Sequence, residues 1–92
     1  MEYNITHDKI NQLFITKVEG KDIYLRYSLI GNETIVFSST YVPDELRRKG
    51  LAAIVVKEGF KYAEENNLKV VPSCTYIHSF LKKYPKYLKF IK

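Results

Sequence analysis

Arg47, Arg48 and Lys49 stand directly before Gly50, where the sequence begins to read as a long helix. A helix N-terminus already presents unpaired backbone N–H groups and about half a positive charge. Cations added there cost roughly 0.3–1 kcal/mol each. The arrangement makes sense if an anion occupies the same end, and Gly50, with no Cβ, lets the backbone approach a phosphate closely. The plainer reading is a solvated basic loop closed by a turn glycine. A second pair is Cys74 and His78. In a helix starting at Cys74 the two would lie on adjoining faces, and an imidazole can lower the pKa of a nearby nucleophilic thiol. Cys74 also reads as a small buried hydrophobe, which free cysteines usually are, and His78 as a helix-surface residue. His7 is isolated in a polar segment and is assigned no role. With one cysteine and two histidines well apart, no metal site is indicated.

Elements must hold these residues in place. Met1–Gln12 has little apolar periodicity and reads as a frayed end or an edge segment. Leu13–Val18 is strand-like, and Gly20-Lys21-Asp22 supplies turn chemistry. Ile23–Ile30 alternates, with Ile23, Leu25, Tyr27 and Leu29 on one face. Gly31-Asn32 turns the chain into Thr34–Val42, where Ile35, Phe37, Ser39 and Tyr41 oppose Thr34, Val36, Ser38 and Thr40. This is an antiparallel three-strand meander. Pro43 ends it, because proline gives the ladder no N–H.

The period then becomes helical: Ala52, Val55, Val56, Gly59, Phe60 and Ala63 share a face, and Asn66-Asn67 is a stop. Leu68–Val71 reads as a short buried strand that Pro72-Ser73 breaks. Ile77, Phe80, Leu81 and Tyr84 mark a second helix, which Pro85 ends. Tyr87–Lys92 is a tail or a short final strand. The expected fold class is α/β (α+β), ordered βββαβα(β), with a right-handed crossover making Thr34–Val42 parallel to Leu68–Val71.

The chain has 92 residues, which fits a single domain over 1–92, and 46% of them are apolar, too many for disorder. Its longest apolar run, Leu51–Val56, is far short of the ~20 residues of a membrane span. The segment MEYNITHDKINQ is too polar for a signal peptide, so cytoplasm is the expected compartment. The single cysteine cannot form an internal disulfide. A net charge of +5 suggests an anionic partner: nucleic acid, a phosphorylated small molecule or a membrane surface. No internal repeat stands out.

Arg47-x-x-Gly50-x-Ala52 resembles the [Gln/Arg]-x-x-Gly-x-[Gly/Ala] signature of the GNAT N-acetyltransferases. Val42-Pro43-x-Glu45-Leu46 before it, Leu68-Lys69-Val70-Val71-Pro72-x-Cys74, and Tyr84-Pro85-x-Tyr87 are similar to the very small GNAT-like proteins that carry only the core of that fold, over roughly residues 13–88. The resemblance implies acetyl-CoA as cosubstrate. Its pyrophosphate would lie on the loop amides and its acyl arm between the splayed strands Thr34–Val42 and Leu68–Val71. CoA contacts are then expected at Val42, Arg47, Arg48 and Lys49, and at Gly50, Leu51, Ala52 and Cys74. Cys74 would line the thioester end, with a covalent role and His78 as its base as weaker extensions. The small family commonly reads His-Thr-Glu-Val before the loop. Here the residues are Ser39-Thr40-Tyr41-Val42, so the usual general base is missing.

Three readings follow. The chain is a GNAT-like N-acetyltransferase acting on an unidentified amine, a CoA-binding module without turnover, or a basic, aromatic single-strand nucleic-acid binder. The last has the least support: Tyr24 and Arg26 share a strand face, but no motif for that function is present and tyrosine is simply a good strand residue. The Lys82–Lys89 segment reads as the solvated side of a helix and its exit, usable by the adenine-ribose phosphate of CoA or by an acidic partner. No membrane partner is expected. So short a chain leaves the acceptor wall to a protein or peptide substrate or to a homodimer, and monomer and homodimer stay open.

Overall fold

The computed structural model describes residues 3–92. Strands β1 (Thr6–Asp8), β2 (Leu13–Val18), β3 (Lys21–Ile30) and β4 (Thr34–Tyr41) form an antiparallel meander. Helix α1 (Leu51–Glu65) crosses over to β5 (Lys69–Pro72), which pairs parallel to β4, and α2 (Thr75–Lys83) follows. The sheet order is β1-β2-β3-β4-β5. This is the expected α+β architecture, with β1 added as a short edge strand. Met1 and Glu2, the first residues of the segment read as a frayed end, lie outside the described residues.

Turn chemistry accounts for the hairpins, though one sits a residue or two earlier than expected. Glu19 and Gly20 both have positive φ (53° and 75°), so the two-residue β2–β3 turn lies there, and Lys21 and Asp22 belong to β3. At the far end β5 keeps Pro72 as its last residue, paired with Phe37. The tail is not a strand. Pro85–Phe90 is a 3-10 helix, and Ile91 then forms a single parallel bridge to Val70.

Both helices pack on one face of the sheet. Phe37 of β4 meets Phe60 of α1 edge-on, with ring centroids 5.1 Å apart, and Phe60 stacks on Phe80 of α2 at 5.7 Å. Ile23, Leu25, Ile35, Val55, Val56, Val70 and Ile77 are fully buried in the same layer. Gly59 sets the closeness of α1 to the sheet: a Cβ there would stand 2.6 Å from Leu25 Cδ2 and 3.0 Å from Phe37 Cζ. On α1 the core residue is Ala53, whereas Ala52, expected on the core face, is only partly buried.

The strict alternation expected along β4 fails at one residue. Tyr27 of β3 pairs with Phe37, but its neighbour Arg26 pairs with Ser39, so Ser38 is an extra residue, a β-bulge. Parity reverses beyond it. Thr40, opposite Leu25, turns to the helix-covered face, while Ser39 and Tyr41 turn to the other. Tyr41 stacks there on Tyr24, with ring centroids 5.4 Å apart.

Candidate active site

The loop between β4 and α1 is braced from the core outward. Asp44–Leu46 forms one 3-10 turn, in which the Leu46 N–H donates to the Pro43 carbonyl at 2.9 Å. Leu46 is 1% exposed and anchors the loop, while Arg47, Arg48, Lys49 and Gly50 are exposed beyond it. Arg48 and Gly50 both adopt the left-handed conformation, with φ 66° and 74°. That costs an L-residue such as Arg48 roughly 1–2 kcal/mol and glycine nothing. Gly50 is the N-cap of α1, and no side chain caps the helix; its first turn carries no acid either. Its leading amides therefore have no side-chain acceptor, the state that suits an external anion.

The three cations differ in placement. Arg47 is committed to the loop: its Nε donates to the Val42 carbonyl at 3.1 Å, and its Nη1 lies 3.1 Å from an Asp44 carboxylate oxygen. Arg48 has no carboxylate within 4 Å among the described residues. Both arginines line a cavity of about 500 Å³, together with Gly50, Leu51 and Ala52. Lys49 is exposed and stands outside that lining.

Strand divergence makes the opposite wall. The β4–β5 ladder stops at Phe37–Pro72, whereas β4 stays paired with β3 as far as Tyr41. From Ser38 onward one edge of β4 faces no strand, and the chain leaving β5 swings into α2. Thr40 and Val42 from β4 and its exit, and Thr75 and Tyr76 from the first turn of α2, enclose the cavity there. Burial, reinforced by neighbouring Tyr84 and Cys74, raises the Tyr76 phenol above its ordinary pKa, so it stays protonated at neutral pH.

Cys74 is the N-cap of α2, with extended backbone, and not its first helical residue. Its half-buried Sγ lies 3.6 Å from Thr40 Oγ1, across the divergence of the two strands. His78 is exposed on α2, and no hydrogen bond joins it to Cys74 among the described residues. The structure thus brings Val42, Arg47, Arg48, Gly50, Leu51 and Ala52 to one cavity, sets Cys74 just behind it, and leaves Lys49 and His78 outside.

Residues 13–90 match the family described as GCN5-related N-acetyl-transferase. The chain belongs to this GCN5-related N-acetyltransferase (GNAT) family. Among relatives, it is 30% identical over 89 residues to Protein NATD1 of Danio rerio, covering 92% of this chain and 81% of that one. It is 29% identical over 83 residues to Protein NATD1 of Xenopus tropicalis (88% and 76%) and 28% identical over 83 residues to that of Homo sapiens (88% and 74%).

Among the described residues of this GNAT chain no carboxylate or imidazole lines the cavity. Ser39 and Tyr41, where the small family's pattern carries His and Glu, face away from it because of the bulge. The nearest acids are engaged elsewhere: Glu45 is 2.8 Å from Lys21 Nζ, which lowers its pKa, and Asp44 holds Arg47. Thr40, Leu46, Thr75 and Tyr76 escaped the sequence reading. Leu46 is the one apolar residue in a polar turn and gave a usable signal. Thr40 and Tyr76 depend on the bulge and on the start of α2, which local pattern does not reveal. No group of three potential metal ligands occurs among the described residues, and no helix among them is long and apolar enough to cross a membrane.

Proposed function

We propose that this GNAT chain, acting as one domain, binds acetyl-CoA and transfers its acetyl group to an amine. The observation that carries the reading is the uncapped start of α1, opening onto a cavity walled by Arg48 and the diverging strands. A phosphate-bearing ligand fits this donor set: amides without a side-chain cap, a left-handed glycine whose Cβ position is open, and a cation with no carboxylate within 4 Å among the described residues. The amides of Gly50, Leu51 and Ala52 would hold the diphosphate. Arg48 would supply most of the cationic attraction and Arg47 would keep the loop in shape. Thr40 and Cys74 would border the acyl end.

Bound acetyl-CoA supplies an activated thioester. The chain's part is to orient it, exclude water and manage protons. Tyr76 lines the same cavity with its phenol held protonated, and would be the proton donor for a departing thiolate. The acceptor amine must arrive deprotonated, since no side chain in the cavity takes its proton.

The same lack of a base favours a second reading, a CoA-binding module without turnover. Calorimetric titration with acetyl-CoA tests both readings, and absence of binding at millimolar ligand overturns both. Release of free CoA thiol, followed with DTNB over an amine panel, then separates enzyme from module. Should a protein-bound acetyl group appear by mass, Cys74→Ser removes it if that thiol carries it, and persistence of the adduct assigns it elsewhere.

A further inference from the structure

Residues 66–92 hold six lysines and no carboxylate, whereas residues 1–65 hold nine cations against all ten acids. The net positive charge of the chain therefore resides in its last 27 residues. Within them lies a short triplet pattern, Lys83-Tyr84-Pro85, Lys86-Tyr87-Leu88, Lys89-Phe90-Ile91, closed by Lys92. Its middle part is carried by a backbone of the same period. Pro85–Phe90 is a 3-10 helix, in which residues three apart eclipse one another.

The consequence is a sorted surface. Tyr87 and Phe90 pack on Phe60 at 4.8 and 6.0 Å between ring centroids, and Tyr84 packs on Phe80 at 4.9 Å. Each of three lysines lies over the ring that follows it: Lys83 over Tyr84 at 5.6 Å, Lys86 over Tyr87 at 5.3 Å and Lys89 over Phe90 at 5.2 Å. Lys92 is drawn aside, bonding Thr34 Oγ1 at 3.1 Å. Among the described residues none of Lys82, Lys83, Lys86 and Lys89 has a carboxylate within 4 Å. Glu64 does border the shallow depression beside Lys86 and Lys89.

We propose that Lys83, Lys86 and Lys89 form a docking row for an extended acidic segment of a protein partner. Lys86 and Lys89 lie in the 3-10 helix, where a three-residue step advances about 6 Å, and Lys83 is the last residue of α2 just before it. Alternate residues of an extended peptide, whose side chains share a face, recur at about 6.6 Å. Carboxylates at every second position therefore meet Lys86 and Lys89 nearly in register, and Lys83 adds a third cation at the end of α2. Leu88, 55% exposed on the same helix, adds one apolar contact.

Two other anionic partners fit less well. A single-stranded nucleic acid wants open ring faces for stacking, and here the rings face the core on one side and lie under ammonium groups on the other. No arginine follows Arg48 in the chain to supply a bidentate phosphate fork. A membrane surface would find a single exposed leucine as its apolar wedge.

The surface is independent of the acetyl-CoA reading and is tested separately, with full-length protein. Fluorescence anisotropy would follow a labelled alternating Glu-Ala peptide of about eight residues, long enough at ~3.4 Å per residue to span the row. Binding should weaken as salt rises. The triple variant Lys83→Gln/Lys86→Gln/Lys89→Gln should weaken it about tenfold, while Lys9→Gln/Lys17→Gln/Lys61→Gln, with the same net charge, stays within about twofold of wild type. Equal loss in the two variants, or no binding by wild type, overturns the proposal. So does tighter binding to oligo-deoxythymidylate or to phosphatidylserine vesicles than to the peptide. Acetyl-CoA titration of the wild-type protein is read separately: peptide binding without acetyl-CoA binding leaves the row standing, and acetyl-CoA binding without peptide binding overturns the row alone.

Discussion

Arg48 combines a strained backbone with a charge that has no carboxylate within 4 Å among the described residues. At φ 66° it sits where glycine is at ease. Arg48→Gly should therefore keep stability within about 1 kcal/mol while raising the Kd for CoA about five- to tenfold, since it deletes an exposed cation and leaves the loop conformation free to form. Thermal melting and calorimetry check the two halves. The missing base makes a kinetic prediction. If the acceptor amine loses its proton to solvent, kcat/KM should climb about tenfold per pH unit up to the amine's own pKa. A plateau starting well below that pKa would reveal a protein base. His7, which the sequence left without a role, stacks on Phe14 at 4.2 Å and hydrogen-bonds the Tyr27 hydroxyl. Burial, and then Lys9, lower its pKa below the ordinary 6.5. The folded chain thus favours neutral imidazole. Its contribution is complete above pH 6.5 and is lost as pH falls below that value, because the unfolded chain takes up the proton first. The melting temperature should drop across that window, before the carboxylates titrate, and His7→Gln should flatten this part of the profile.

The elements were legible in the sequence wherever one physical rule acted alone. Period-two patterning gave β2, β3 and the first half of β4, and Asn66-Asn67 closed α1 as expected, with Asn67 at φ 55°. The faces went wrong where pairing overrode pattern. Ser38 looks like any small strand residue, yet the register against Arg26 and Tyr27 makes it a bulge and sends Thr40, not Tyr41, into the cavity. The placement of Cys74 failed for a related reason. Pairing it with His78 assumed a helix starting at Cys74, but α2 begins one residue later, with Cys74 as its extended cap. On α1, Gly59 reads as one more residue of the apolar face, whereas it is a contact point between layers. Gly59→Val should cost roughly 3 kcal/mol, the upper part of the range for overpacking, because Leu25 and Phe37 are both fully buried and have nowhere to move. Chemical denaturation measures it, and a loss under about 1 kcal/mol would mean that the layer yields more easily than its packing implies.

Taken together, the molecule separates two cationic regions. The start of α1 gathers Arg47 and Arg48 around amides that no side chain caps, and the C-terminal 3-10 helix carries lysines backed by aromatic rings. Composition alone signalled an anionic partner, and the order of residues along the chain, not their totals, divides the charge between these places. The cradle at Gly50 is the central claim, and amide chemical shifts test it most directly. In ¹H–¹⁵N spectra recorded during titration with CoA, the largest perturbations should fall on Gly50, Leu51 and Ala52, saturating with the calorimetric Kd, and Gly50→Glu should abolish them while Gly50→Asn, which tolerates the left-handed conformation, retains them. Perturbations confined to Lys82–Lys89, or a Gly50→Glu protein that binds CoA as tightly as wild type, would contradict it.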